Sequence, residues 1–236
     1  MNMDFHGNKL LLCKTKEEFD NLTLEQMEGY DTAFWYETST KIISENKINQ
    51  VGFFLREEKR DPIEISLKVS CKDKNLAFSQ CKKNACFYLL REIYKGDMLK
   101  TYSEFGKINN SDFRFNVKES VASIGCDIRA SVTSLPHATL YDVGNQHWIC
   151  EKGKIHNIPK DKSVNIHEYY DVVENEENVE CTVDFFERGV GETKSCGSGA
   201  LCVGTHLFGK YNKTVIVKTT SGDKYFVDKE GISVEM

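Results

Sequence analysis

The feature that most constrains the fold is a run of apolar residues near the end of the chain, Ala200–Phe208. Its apolar side chains are spread around the helical repeat instead of forming one stripe, so a helix here must be covered on nearly every side. The segments around it are short and alternate apolar with polar residues, which is typical of half-buried strands. An enclosed helix among short strands predicts an α+β fold.

Two segments of the chain follow the same plan, in which an alternating strand leads through a polar, cysteine-containing loop into a helix. The first has a strand at Ile63–Val69, Cys81 in the loop, and a helical pattern at Cys86–Lys95 that we expect to end at Gly96. The second has a strand at Val179–Phe185, Cys196 in the loop, and the apolar helix, which we expect to end at Gly209. The chain therefore divides into two similar halves, each with a cysteine at the start of its helix.

We place the boundary between the halves at the turn-like segment 109–112, so that the first half is 1–112 and the second is 113–236. Further short strands are predicted around the helices, at 50–55, 138–143, 214–219, 224–227 and 232–235.

Composition narrows the range of functions. The chain has 236 residues, 40% of them hydrophobic, which is enough for one large domain or two small ones. Its 31 basic residues are scattered among 36 acidic ones for a net charge of −5, so nucleic acid is not an expected partner. The first residues lack a signal-peptide pattern, and no run of about 18 apolar residues occurs. We expect a cytoplasmic protein with no membrane segment.

The nine cysteines are an odd number and include no CxxC pair, so we expect them to be reduced. The closest pairs are Cys81 with Cys86 and Cys196 with Cys202, and neither has a compact set of histidines beside it in the sequence. No metal site is predicted.

The loop before the apolar helix carries the clearest chemical signal. Cys196 directly precedes Gly197-Ser198-Gly199 at a helix start, where backbone N–H groups and the helix dipole favour anions. This position favours the thiolate form of Cys196. The same N–H groups can bind a substrate carboxylate, because glycine leaves room for a ligand to approach the backbone.

Two other interpretations of this loop are weaker. A phosphate-binding P-loop needs glycine directly before Lys-Ser/Thr, whereas Lys194-Ser195 follows Thr193. A cysteine hydrolase needs an oriented histidine base, and none of the six histidines has a recognisable local signature. The hydrolase stays open as a minor alternative.

The segment ERGVGETKSCGSGALC, residues 187–202, resembles the second active-site motif of diaminopimelate epimerase and related pyridoxal-independent amino-acid racemases. Other features follow in the family's order: His6-Gly7-Asn8 is similar to Gly-Asn-Asp-Phe, residues 144–147 (GNQH) to Gly-Asn-Pro-His, and Val164-Asn165 to a later family motif.

This resemblance implies an isomerase that inverts Cα with two cysteine bases and no cofactor. It identifies Cys196 as one base and Cys81 as the best candidate for the other, with Cys86 as its rival. It also implies two pseudo-symmetric halves, each a curved sheet or barrel around a central helix, and an active site in the cleft between them.

The resemblance also implies which residues bind the amino-acid substrate. The amides of Gly197 and Ser198 would bind its α-carboxylate, and Glu187 its ammonium group. The distal end of the substrate, such as a second carboxylate, would be recognised by three residues that match family positions: Arg188, Asn145 and Asn165. Asn8, in the first motif, is a further candidate.

The first half departs from the family pattern. Lys72 replaces an asparagine that would contact the distal carboxylate, and Lys82 and Lys83 stand near two expected glycines. These two lysines either favour the Cys81 thiolate by direct charge or lie in solvent. We therefore predict that the substrate is diaminopimelate or another amino acid, such as histidine.

Two alternatives remain. A non-catalytic or single-base member of the fold would bind a small carboxylate or amino acid through the Cys196 loop without a partner base. An isomerase with an acidic base is disfavoured by the intact Cys196–Gly199 motif. The sequence leaves open whether the protein is a homodimer.

Overall fold

The structure is a computed structural model that describes the backbone at 2–5, 8–14, 50–58, 63–71, 84, 86–87, 90, 105–108, 113–118, 121–125, 129–143, 145–154, 158 and 164–235. Side chains are described for 84, 86–87, 90, 121–125, 135–143, 145–154, 158 and 164–235. Contacts divide the chain into two compact units, one built mainly from residues 9–122 and the other mainly from residues 123–235.

The first unit is a mixed sheet. Parallel and antiparallel pairings alternate along it: β2 with β3 is parallel, β3 with β4 antiparallel, β4 with β5 parallel, and β5 with β6 antiparallel. A register shift interrupts the β3–β4 pair between Phe54 and Arg56. In spatial order the strands are β1 (Asn2–Phe5), β2 (Asn8–Lys14), β3 (Gln50–Glu58), β4 (Ile63–Cys71), β5 (Phe105–Ile108) and β6 (Phe113–Lys118). The next strand, β7 (Val121–Gly125), has its first two residues in this unit and the other three in the second.

The second unit is also a mixed sheet. Its strands, in chain order, are β8 (Arg129–Leu135), β9 (Ala138–Asp142), β10 (Gln146–Glu151), β11 (Asn165–Glu174), β12 (Asn178–Glu187), β13 (Gly191–Thr193), β14 (Thr214–Thr219), β15 (Lys224–Asp228) and β16 (Gly231–Glu235). They lie side by side in the order β8-β9-β10-β11-β12-β14-β15-β16, and β13 forms a hairpin with β12.

Four consecutive pairings of the second unit alternate as well, whereas β8–β9, β9–β10 and β15–β16 are all antiparallel. β10 with β11 is parallel, β11 with β12 antiparallel, β12 with β14 parallel, and β14 with β15 antiparallel. A register shift interrupts the β11–β12 pair between Tyr170 and Val173.

One helix has described bounds, Gly197–Tyr211, and we call it the central helix. It packs against β14 and β15 and against the inward faces of β10, β11 and β12. Its buried residues run through its first eleven positions almost without interruption, as an apolar run enclosed by a sheet requires. The expected α+β architecture is present in this coarse form.

The expected end of this helix at Gly209 was wrong. The helix continues through Gly209 to Tyr211, and Asn212 ends it in a left-handed conformation, with φ 53°. The backbone N–H of Asn212 donates to the carbonyl of Phe208 at 2.7 Å, which closes the last turn. A left-handed cap accepts asparagine as well as glycine, and an exposed glycine can remain inside a helix at a modest cost in stability.

Strand predictions from alternation are confirmed. β12 includes the whole of 179–185 and alternates intermediate with buried residues along its full length. β4 includes Ile63–Val69, and β3, β9, β14, β15 and β16 lie within a few residues of the other predicted strands. β10 and β11 were not predicted. In β11 the early residues are buried on both faces, so the sequence there does not alternate between apolar and polar residues.

Parts of the first half lie outside the described residues, among them Cys81, Lys72, Lys82, Lys83 and the 109–112 turn. The described positions near Cys81 are Asn84, Cys86, Phe87 and Leu90. All four are helical and buried, in agreement with a helix there.

Five cysteines have described side chains, and all five are buried and outside any disulfide: Cys86, Cys150, Cys181, Cys196 and Cys202. Among the described residues, no helix is long and apolar enough to cross a membrane.

Candidate functional site

Three neighbouring strands of the second unit direct polar side chains toward the start of the central helix. Parallel pairing sets His147 of β10 opposite Asn165 of β11, and the β11–β12 pairing sets His167 opposite Phe185. Side chains at alternate positions of a strand share a face. His147 and His167 are fully buried, and Asn145, Asn165 and Glu187 are nearly so. Buried polar residues are concentrated at this end of the unit.

His147 and His167 form a direct pair. Nδ1 of His147 lies 2.8 Å from Nε2 of His167, and the two ring planes are inclined by 26° with their centroids 5.0 Å apart. Nε2 of His147 lies 2.9 Å from Oδ1 of Asn145. Because an amide oxygen can only accept, Nε2 of His147 is the donor, and its Nδ1 then accepts from Nε2–H of His167.

This arrangement leaves one ring nitrogen without a hydrogen bond. Nδ1 of His167 is buried and has no partner among the described residues. Burial lowers the pKa of His167 to about 3, because the low-polarity surroundings disfavour the charged ring. His167 is therefore neutral at physiological pH.

Cys196 is the N-cap residue of the central helix. It has extended backbone angles, and its Sγ accepts a hydrogen bond from the backbone N–H of Gly199 at 3.4 Å. Gly197 and Ser198 begin the helix beside it, where backbone N–H groups point out of the amino end. A donor aimed at sulfur and the positive end of the helix dipole both stabilise a thiolate.

Gly199 brings the helix start against the histidine pair. A Cβ at this position would lie 2.5 Å from Nε2 of His167, and 2.6 Å and 2.7 Å from two ring carbons. The ring therefore occupies the space that any larger residue would need. One ring nitrogen each from His147 and His167, together with Sγ of Cys196, lie within 4.8 Å of one another.

The segment ERGVGET, residues 187–193, forms the turn between β12 and β13. Gly189 and Gly191 have φ values of 77° and 95°, which other residues rarely adopt, so both glycines are required by the turn itself. The turn brings Thr193 beside Glu187, and Oγ1 of Thr193 donates to Oε1 of Glu187 at 2.7 Å. Glu187 is thus held in a fixed position at the end of β12.

Asn165 connects two segments of the site through its side chain. Its Nδ2 donates to the carbonyl of Gln146 at 2.8 Å, and its Oδ1 accepts from the backbone N–H of Arg188 at 2.9 Å. These bonds fix the ends of β10 and β12 relative to β11. Contact of Asn165 with a substrate stays a prediction, because its described bonds are structural.

Seven of the nine predicted site residues lie near the start of the central helix or at the neighbouring ends of β10, β11 and β12: Asn145, Asn165, Glu187, Arg188, Cys196, Gly197 and Ser198. Asn8 begins β2, and its side chain is outside the described residues, as is the whole of Cys81.

The histidine pair escaped the sequence analysis. In the sequence, His147 stands out only as part of the GNQH segment, and His167 has no recognisable local signature. They are 20 positions apart, and only the parallel register of β10 with β11 brings them together. One signal in the sequence is that each histidine follows a predicted site asparagine by two positions, His147 after Asn145 and His167 after Asn165. Residues two positions apart on a strand share a face.

A cavity of about 350 Å³ lies mainly on the other face of the same strands. Ile166, Glu168, Asp184 and Phe186 line it, and they alternate along β11 and β12 with the residues that face the helix. The polar groups that line this cavity include carboxylates and one lysine, and Cys196 is not among its lining residues. The cluster formed by His147, His167 and Cys196 is therefore the better candidate for a reactive site.

No protein-family model matches the chain, and no curated protein matches it in sequence.

Proposed function

We propose that the protein is a cofactor-independent amino-acid racemase or epimerase that uses Cys196 as one of two bases. The observation that carries the proposal is the position of Cys196: its sulfur caps a buried helix and accepts the N–H of Gly199. Hydrogen bonds fix Glu187 and Asn165 at the ends of β12 and β11 in the same unit. A proton-abstracting thiolate and a carboxylate-binding helix end therefore occur together, as removal of a Cα proton requires.

A two-base mechanism needs a second thiol, and the strand pairings support its origin in the first half. The succession β2-β3-β4-β5-β6 alternates parallel and antiparallel pairings in the same way as β10-β11-β12-β14-β15. Both series carry a register shift in their first antiparallel pair. These matches favour two pseudo-symmetric halves, each with a sheet around a central helix.

The same comparison supports Cys81 as the second base. Cys196 follows the last residue of β12, Glu187, by nine positions, and Cys81 follows the last residue of β4, Cys71, by ten. Asn84, three positions after Cys81, is helical, as is Gly199, three positions after Cys196. Cys86 is further into the helical segment, which makes it the weaker candidate.

In the proposed reaction, the Cys196 thiolate removes the Cα proton and becomes a thiol. The electron pair left on Cα is delocalised into the α-carboxylate, whose charge is stabilised by the N–H groups at Gly197 and Ser198. The Cys81 thiol then gives its proton to the opposite face of Cα and becomes a thiolate. Inversion is complete without a cofactor, and the reverse reaction exchanges the roles of the two cysteines.

Substrate recognition in the proposal follows the fixed groups of the second unit. Glu187, held by Thr193, would bind the substrate ammonium, and the Arg188 guanidinium with Asn145 would bind the distal group. Diaminopimelate suits a guanidinium through its second carboxylate. The departure of the first half from the family pattern at Lys72, Lys82 and Lys83 is the reason to test other amino acids, such as histidine.

The test is Cα hydrogen exchange by the full-length protein in D2O, with single L-amino acids and diaminopimelate stereoisomers as substrates. Loss of the Cα–H signal by NMR and formation of the opposite stereoisomer by chiral chromatography are expected for one of them. Cys196→Ser should abolish inversion. Cys202→Ser is the matched control, because Cys202 is a buried cysteine of the same helix outside the cluster, and it should retain activity.

Absence of exchange with every amino acid would contradict the racemase proposal. If such a protein still gained thermal stability from an amino acid or small dicarboxylate, and Cys196→Ser removed that gain, the protein would instead be a non-catalytic member of the fold that binds a carboxylate ligand.

A further inference from the structure

We infer that His147, His167 and Cys196 form a three-ligand site for a divalent metal ion with the preferences of zinc. One donor atom from each residue lies within 4.8 Å of the others, and all three residues are at most 1% exposed. The three come from different elements, β10, β11 and the cap of the central helix. This inference is independent of the racemase proposal, since it depends on the donor geometry alone.

The two ring nitrogens face each other across a single proton. Nδ1 of His147 and Nε2 of His167 are 2.8 Å apart and share one proton. With metal–nitrogen bonds of about 2.0–2.1 Å, tetrahedral ligation places two nitrogens about 3.3 Å apart. A metal ion can therefore take the place of the shared proton only if the rings separate by at least roughly half an ångström and tilt so that both lone pairs converge on the ion.

The proton balance is simple. The shared proton leaves Nε2 of His167 and moves to Nδ1 of the same ring. This Nδ1 atom has no hydrogen-bond partner among the described residues, so no such bond fixes the tautomer of the His167 ring. The thiol proton of Cys196 is released to solvent as the sulfur becomes a thiolate ligand. The net reaction is binding of one M²⁺ and release of one proton.

Neighbouring groups orient the donors as they do in established metal sites. Oδ1 of Asn145 accepts the Nε2–H of His147, which points the lone pair of Nδ1 at His167. The N–H of Gly199 donates to Sγ of Cys196. The Phe185 ring lies 5.3 Å from that of His167 and provides an apolar wall.

The donor set defines the class of metal. One thiolate and two imidazoles suit zinc and cobalt, whereas magnesium and calcium prefer oxygen ligands. Three protein ligands leave one tetrahedral position open for water or an added ligand. A metal on Sγ would occupy the lone pair that a proton-abstracting base needs, so zinc should inhibit any reaction that uses the Cys196 thiolate, and a chelator should restore it.

The experiment is cobalt titration of the full-length, metal-free protein under reducing conditions. We expect binding with a thiolate-to-cobalt charge-transfer band in the near ultraviolet and visible bands of tetrahedral intensity. Cys196→Ala should lose the part of the charge-transfer band that comes from cobalt bound at this site. His167→Asn should weaken cobalt binding at the same site by at least about 10- to 100-fold. The matched controls are Cys202→Ala and His206→Asn on the same helix, which should bind as the parent does.

X-ray absorption of the zinc-loaded parent protein keeps the inference testable if a variant does not fold. One sulfur and two imidazole nitrogens around zinc are expected. A shell of oxygen ligands only, a shell of sulfurs only, or no cobalt binding by the parent would overturn the site, as would parent-like binding by Cys196→Ala or His167→Asn. Amino-acid exchange is a separate readout, so loss of the racemase proposal would leave these results unchanged.

Discussion

Gly199→Ala tests whether His167 lies against the start of the central helix. Replacing glycine with alanine inside a helix normally stabilises it by about 0.8–1.0 kcal/mol, because alanine has the better helix propensity. Gly209, in the last turn of the same helix, has no atom within 4 Å of the position of an added Cβ. Gly209→Ala should therefore raise the free energy of unfolding by up to about 1 kcal/mol.

At Gly199 the same substitution meets the His167 ring at 2.5–2.7 Å, closer than real Cβ contacts, so the buried ring must move. Overpacking of this kind costs about 1–3 kcal/mol, against the same gain in propensity. Gly199→Ala should thus be about 1–3 kcal/mol less stable than Gly209→Ala.

Urea denaturation of both variants, with a chelator present, measures this difference. The penalty should disappear in a His167→Ala background, where Gly199→Ala should behave like Gly209→Ala, because the clashing ring is absent. Equal stabilities for the two glycine variants in the parental background would refute the contact between His167 and the helix start.

Two further predictions concern the same cluster. Burial lowers the pKa of His167 from 6.5 to about 3, so below pH 6.5 the unfolded chain binds a proton that the folded chain does not. The free energy of unfolding should therefore fall as the pH decreases, by about 2 kcal/mol between pH 6.5 and pH 5. Urea titrations across this range should show a shallower pH dependence for His167→Asn but not for His137→Asn, a change at an exposed histidine. Asn165→Ala removes two part-buried hydrogen bonds and should cost about 1–3 kcal/mol in the free energy of unfolding, whereas a purely substrate-binding Asn165 would leave stability unchanged.

Local patterns sufficed for much of the second unit. Alternation predicted β12, β14 and β15, and the apolar run predicted the central helix. The end of that helix was not predictable from Gly209, because Asn212 also accepts the left-handed conformation that a helix cap needs. Such ends depend on one residue's backbone angles, which a periodic pattern does not record.

The candidate site was predictable only where its residues are adjacent in the sequence. Cys196 and the following glycines could be assigned to a helix start because the loop and helix are consecutive. The contact between His147 and His167 depends on strand register. The approach of the His167 ring to within 2.5 Å of the position of a Cβ added at Gly199 depends on packing across the sheet. Neither the strand register nor the packing across the sheet produces a pattern in the local sequence.

The measurement that tests the central claim most directly is Cα deuteration compared with inversion in Cys196→Ser and Cys81→Ser, with Cys202→Ser as control. A two-base racemase should lose inversion in both active-site variants by at least about 100-fold, the usual size of an acid–base contribution, while either variant can retain exchange from one face of Cα. The control should invert its substrate at the parental rate. Parental inversion by Cys81→Ser would contradict Cys81 as the second base, and parental inversion by Cys196→Ser would contradict the account as a whole.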